Sequence, residues 1–481
     1  MNRRNYTLHF ALAGALVVLA AAAGRIERWE VKQEVKREVA VIPPSSVTVP
    51  LRAGVAEEGE AEVLVRFKPG VSEERIEEIA ASLNDRVEDE IESVEGLAAI
   101  DDLDNAEAER TAAEYASLPE VEYAEPNFRI EADPPGANNI QYGDGRLASP
   151  LPPGGPNDPL LAEQWGLVNT GQRDGRAEAD ISAFAAWDKT QGSRKVVVAV
   201  LDSGVDYTHP DLAGNMWHRP ADLEMYFDDE LGVIDDYDGF SALAEERDPM
   251  DENGHGTHCA GIVGAEGDNN LGVAGVNWRV EIMPLKFMGR GGFGSTKDAI
   301  ASINYVIARK KDGVNVRVIS ASWGSQQRSK ALEDVIRKAG ESDILFVAAA
   351  GNDGADADRR PHFPSGYKLP NVLSVAALDR RDELTSFSNY GAKGVHVAAP
   401  GKEILSTWLG GNYREASGTS MATPFVAGVA GLILSVEPNL SVKELRDRLT
   451  GTVDKLDSLK GKVSSGGRVN AARAVGAMQI K

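Results

Sequence analysis

The 481-residue chain contains one cysteine, Cys259. A single thiol excludes an internal disulfide, so a form living outside a reducing compartment needs another stabiliser. Basic residues are in deficit: 51 Lys and Arg against 74 Asp and Glu leave a formal net charge of -23. That balance argues against nucleic acid or an anionic membrane surface as partner, and favours solubility and cation binding. No internal repeat is apparent. The glycine-rich run Gly289-Arg290-Gly291-Gly292-Phe293-Gly294 lacks a following Gly-Lys-Ser/Thr, which removes the case for a phosphate-cradling loop. Gly-x-Ser-x-Gly is missing around Ser420, where Ala422 stands in the last position, so the elbow of α/β-hydrolase esterases and lipases is excluded. His255 and His258 have neither the i, i+4 spacing nor the intervening Glu of a zinc-protease helix.

What remains is a chain longer than one typical domain, with 42% hydrophobic residues, ample for a core. Three segments carry chemistry: Val200-Leu201-Asp202-Ser203-Gly204, Asn253-Gly254-His255-Gly256-Thr257-His258, and Ala416-Ser417-Gly418-Thr419-Ser420-Met421-Ala422-Thr423-Pro424. A serine hydroxyl attacks an amide only when a positioned base takes its proton. Histidine is the natural base near neutral pH. A carboxylate on the far ring nitrogen fixes the tautomer and stabilises the imidazolium.

Asp202 ends the run from Lys195 to Leu201, whose apolar stretch has the pattern of a parallel strand buried on both faces. Sites in open α/β sheets lie along that carboxyl edge. His255 heads a small-residue helical stretch, with His258 expected in a structural hydrogen bond and Cys259 as a small buried residue. Ser420 precedes an apolar helix with Pro424 in its first turn, where a missing N–H costs least. Helix N-termini favour negative charge, as a developing oxyanion requires.

The order Asp202, His255, Ser420 is that of subtilisin, and over residues 157–475 the chain resembles the subtilisin-like serine proteases, or subtilases. The resemblance implies an α/β fold, a doubly wound, mostly parallel sheet. It matches Asn352, in Ala349-Ala350-Gly351-Asn352, to the oxyanion asparagine. It makes Gly291 and Gly292 on one side, and Ser322, Trp323, Gly324, Ala349 and Gly351 on the other, the walls of a channel that binds extended peptide by strand addition. It also implies structural Ca2+, with Asp158, Asp211 and Asn269 as side-chain ligands and Leu271 and Val273 as carbonyl donors, an oxygen-only set suited to a hard cation. A second acidic stretch, residues 228–251, reads either as another calcium site or as a solvated surface loop.

Residues 1–24, with Arg3 and Arg4 before an apolar stretch and Ala21-Ala22-Ala23 after it, read as a signal peptide or signal anchor. Residues 25–61 read as a linker, and 62–130 alternate strand and helix patterns. By the resemblance the latter form an inhibitory propeptide, a small α+β ferredoxin-like domain whose C-terminal tail blocks the cleft. Residues 131–156, rich in Pro, Gly and Asn, are the expected processing segment, and 157–481 the catalytic domain without an added C-terminal module. The expectation is a secreted, monomeric, calcium-stabilised serine endopeptidase made as a self-processing zymogen. Its partners would be protein or peptide substrates and its own propeptide, with a membrane engaged only through an uncleaved anchor. A binding protein on a dead protease scaffold would have lost a catalytic residue, and all four are present.

Overall fold

The structure, a computed structural model, describes residues 63–132 and 155–478 except 105, 229 and 245. The signal, linker and most of the processing segment expected from sequence lie outside the described residues.

Residues 63–126 form two β-α-β units. Strands Val63–Phe67, Asp85–Glu90, Leu97–Asp102 and Val121–Pro126 make a sheet in which Val63–Phe67 pairs antiparallel with both Leu97–Asp102 and Val121–Pro126. Helices Glu73–Ser82 and Ala108–Ala116 follow the first and third strands, which is the ferredoxin-like order. Ser72 caps the first helix by accepting the Arg75 N–H. The second begins at Ala108. Strand alternation decides what each face covers. Val63, Val65 and Phe67 pack under the helices, while Leu64 joins the core of the larger lobe.

The larger lobe is built on a nine-stranded sheet in the order Asp454–Lys455, Gly467–Arg468, Val397–Pro400, Val372–Leu378, Leu345–Ala349, Val316–Ala321, Gly192–Asp202, Arg279–Lys286, Phe240–Ser241. Every pairing is parallel except that of Asp454–Lys455. In Gly192–Asp202, Val196, Val198 and Val200 face helices His255–Gly264 and Thr419–Val436. Val197, Ala199 and Leu201 face helices Thr296–Lys311 and Lys330–Glu341. Burial on both faces explains the apolar run. Thr419–Val436 is long and apolar enough to cross a membrane, but it is a core helix with 89% of its apolar window buried. Its small residues permit close approach: a Cβ on Gly428 would meet Val276 Cβ at 2.7 Å.

Candidate active site

Asp202 is the last residue of its central strand, and His255 the first of the helix behind it. Gly254 makes that entry with φ of 101°, a conformation that disfavours any side chain. His255 Nδ1 and Asp202 Oδ1 are 2.7 Å apart, both residues fully buried. Bonded this way, Nδ1 carries the proton and Nε2 presents the basic lone pair.

Ser420 lies in the first turn of Thr419–Val436; its hydroxyl donates to Ser322 O at 2.9 Å, and its carbonyl accepts from Ser322 Oγ at 2.8 Å and from Cys259 Sγ at 3.6 Å. Cys259 also lies beside the acid and base, with its sulfur, the Asp202 carboxylate and the His255 ring nitrogens offering atoms within 4.8 Å of one another. That trio is no metal centre in this form: Asp202 and His255 are already hydrogen-bonded, and burial pushes the Cys259 thiol well above its ordinary range, keeping it neutral. His258 Nε2 sits 3.0 Å from both Ile404 O and Arg414 O, and burial holds its pKa down to about 3. It is a neutral structural histidine.

Asn352 follows the strand Leu345–Ala349. Its Oδ1 accepts from the Thr419 N–H at 2.9 Å and the Thr419 hydroxyl at 3.0 Å, which fixes the amide. Gly351, at φ of 98°, donates to Thr419 Oγ1 at 3.2 Å. A Cβ built on Gly418 would lie 3.3 Å from Asn352 Nδ2 and 3.6 Å from Ser420 N. Two N–H donors thus converge on the space that Gly418 leaves open.

Beside this point the chain supplies its own extended peptide. Arg129–Ala132 is the middle strand of a three-stranded sheet, antiparallel to Phe293–Ser295 on one side and to Trp323–Gly324 on the other. The Ala132 N–H donates to Gly292 O at 2.8 Å, and the Thr296 N–H to Phe128 O at 2.9 Å. Glu131 and Ala132, expected in an exposed segment, are strand because two edges satisfy their backbone. Trp323 contributes main chain only to this wall. Its ring is fully buried against Phe287, and its Nε1 donates to Leu201 O at 2.9 Å. Gly291 lies in the loop before Phe293, and Ala349 ends the strand leading to Gly351.

Asp158 and Asp211, distant along the chain, both reach the segment 268–273 that carries Asn269, Leu271 and Val273. Asp211 Oδ1 accepts from Asn269 Nδ2 at 2.7 Å and its Oδ2 from the Val273 N–H at 2.9 Å. Asp158 Oδ2 accepts from the Asp268 N–H at 2.9 Å, while the Leu271 N–H is turned onto Asn269 Oδ1 at 2.8 Å. Asp158 Oδ1 is buried with no hydrogen-bond partner among the described residues. Burial, with the nearby Asp211 charge adding to it, pushes the Asp158 pKa up to about 7. Two adjacent buried carboxylates and an orphaned oxygen fit a hard cation.

Two carboxylates of the second acidic stretch are buried and held by protein partners. Asp236 is fully buried, ion-paired with Arg219 Nε at 2.9 Å and an Arg309 guanidinium nitrogen at 2.7 Å, and accepts from Tyr305 OH at 2.7 Å. Asp251 is 4% exposed and accepts the N–H groups of Asn253, Gly254 and Thr257 at 2.8–2.9 Å, plus the Ser203 and Thr257 hydroxyls at 3.0 and 2.6 Å. It caps the His255 helix and ties it to the residue after Asp202. An Asp just before a helical pattern was the available signal for this role.

The sequence model of the subtilase family matches residues 193–473, and that of the fervidolysin N-terminal prodomain matches residues 58–127. The chain is 34% identical over 424 residues to a thermophilic serine proteinase of Bacillus sp. (strain AK1), covering 86% of this chain and 87% of that protein. It is 35% identical over 321 residues to thermitase of Thermoactinomyces vulgaris, covering 66% of this chain and 99% of thermitase. It is 36% identical over 321 residues to halolysin of Haloferax mediterranei, of which it spans 54%. With an Asp-His pair, a helix-borne serine and a peptide strand held beside them in one sheet, these matches make the chain a member of the subtilase family, a subtilisin-like serine endopeptidase with an N-terminal prodomain.

Proposed function

We propose that the protein is a secreted, calcium-stabilised zymogen in which Ser420 is the nucleophile, His255 the general base and acid, Asp202 the group that orients His255, and Asn352 Nδ2 with the Ser420 N–H the oxyanion donors. Ser420 Oγ bonds to the scissile carbonyl carbon as its proton passes to His255 Nε2. The carbonyl oxygen, now negative, takes up hydrogen bonds from the two donors. His255 returns the proton to the leaving amine, the C–N bond breaks, and water repeats the sequence in reverse to release the acyl-enzyme.

The observation that carries this reading is the chain's own strand Arg129–Ala132 held between Phe293–Ser295 and Trp323–Gly324. Recognition through main-chain hydrogen bonds on both sides suits peptide substrates of varied sequence. The same strand excludes a substrate while it stays, which supports an inhibitory propeptide. Calcium would be held by Asp158, Asp211 and Asn269, with carbonyls of Leu271 and Val273, and would neutralise the repulsion between the two buried carboxylates. Support for secretion is the basic and apolar pattern of residues 1–24.

The test is to express the parent and Ser420→Ala with calcium and follow chain mass and casein hydrolysis. The reading expects the parent to lose roughly the propeptide and cleave casein while the variant does neither. Both chains staying full length and inactive would overturn it.

A further inference from the structure

The strand in the cleft alternates strictly: Ile130 is 3% exposed and faces the core, while Arg129 and Glu131 face solvent. On that outer side lies Phe293, whose backbone pairs with Glu131 and which remains 41% exposed even with the strand in place. A large aromatic ring left outside at a binding edge is unusual, since burial would stabilise it. Over the ring stands a charge: the Arg129 guanidinium carbon lies 3.7 Å above the ring centroid. Arg129 pairs with Ser295, two residues along the rim, so the diagonal neighbour across an antiparallel pair is the one that stacks. The Glu131 carboxylate is 4.0 Å from Arg129 Nε, too long and too exposed to hold the side chain alone.

Resting on the protease reading above, we propose that Phe293 is a specificity residue: it selects a basic side chain, arginine above all, at the substrate position that pairs with Ser295. Nothing about this contact depends on the propeptide as such. Any peptide added as a strand along Phe293–Ser295 presents its outward side chain at that position to the same ring. A guanidinium suits the contact because it is planar, weakly hydrated and permanently charged. The site lies well away from Ser420 along the strand, so the preference acts on binding and enters KM rather than kcat.

The test uses the matured enzyme and a set of peptides identical except for Arg, Lys, Ala or Glu at that position, with alanine at the position pairing with Phe293 so that no ion pair within the peptide contributes. The parent should cleave the Arg peptide with kcat/KM about two- to fivefold above the Ala peptide, almost all in KM. Phe293→Ala should bring the ratio near one, and Phe293→Leu, which keeps apolar bulk without the ring, should fall most of the way. Both variants should keep the parental melting temperature, which reports that they fold. A preference that survives in Phe293→Ala would overturn the inference and assign it to the overall negative charge. Equal cleavage of all peptides by a parent active on casein would overturn the inference alone. A parent inactive on casein and on every peptide would overturn the protease reading and the inference with it.

Discussion

Asp251 Oδ2 accepts both the backbone N–H and the hydroxyl of Thr257, at 2.9 and 2.6 Å. Its other oxygen takes the Ser203 hydroxyl, and Ser203 follows Asp202 directly. One buried carboxylate therefore sets the distance between the strand end that carries the acid and the helix that carries the base. Asp251→Ala should leave several buried donors unsatisfied and cost about 2–4 kcal/mol of stability, with a fall in kcat beyond that expected from partial unfolding. Thermal unfolding and steady-state kinetics on the same preparation check this. Parental kcat in a destabilised Asp251→Ala would mean that the network does not hold His255.

The two N–H groups around Gly418 make a second expectation. Asn352→Ala should lower kcat by about 10²- to 10³-fold with little change in KM, a magnitude known from subtilisin, a member of the same family. Gly418→Ala puts a methyl 3.3 Å from Asn352 Nδ2, in the space the oxyanion needs. It should lower kcat in the same way while leaving the melting temperature close to parental. A Gly418→Ala enzyme with full kcat would move the oxyanion elsewhere.

Asp202, His255, Ser420 and Asn352 were legible because each sits in a short motif whose glycines, strand end or helix start are written next to it. Asp251 and Asp236 were not: both lie in an acidic stretch that reads equally as a calcium site or a solvated loop, and their burial depends on partners far along the chain, Ser203 for one and Arg309 for the other. Trp323 meets the bound strand through its main chain alone, because a strand residue beside a cleft sends its side chain to one face only. The sheet made by Arg129–Ala132 could not be read from that segment, since its pairing partners begin more than a hundred residues later. The nine-stranded order was readable as a class, from apolar runs alternating with helices, but not as an order.

Removal of calcium gives a direct test of the Asp158 and Asp211 cluster. A ligand present at 100 times its Kd stabilises the folded state by about 2.7 kcal/mol, and chelation removes that. The melting temperature should drop with chelator and recover with Ca2+ but not with Mg2+, which fits a large, irregular oxygen site poorly. Asp211→Ala should melt lower and show little further response to chelator. A parent indifferent to chelator would remove calcium from this cluster.

The contact between prodomain and catalytic lobe should weaken as pH rises. Asp89, 4% exposed, is held with its pKa pushed up to about 8, first by burial and then by Asp228 across the interface, with Lys297 opposing. Lys297 Nζ is itself shared between Glu88 at 3.3 Å and Glu230 at 2.6 Å, and Glu92 adds a further acid. Glu88 and Glu230 therefore compete with Asp89 for one cation, while Asp228 and Glu92 repel its charge. Below about pH 4 the Asp89 carboxyl is protonated whether the prodomain is docked or released. Between about pH 4 and 8 the released form gives up its proton while the docked form keeps it, so each step upward favours release. Above about pH 8 both forms are ionised and the dependence ends. One group contributes at most about tenfold in affinity per pH unit across that window. After self-processing, the fraction of prodomain retained on the enzyme in size-exclusion runs from pH 5 to 9 should fall through this range and level off near its top. Asp89→Asn cannot ionise, so its retention should change far less with pH than the parent's. A parent whose retention is flat between pH 5 and 8, or an Asp89→Asn curve that overlays the parental one, would remove Asp89 as the group responsible.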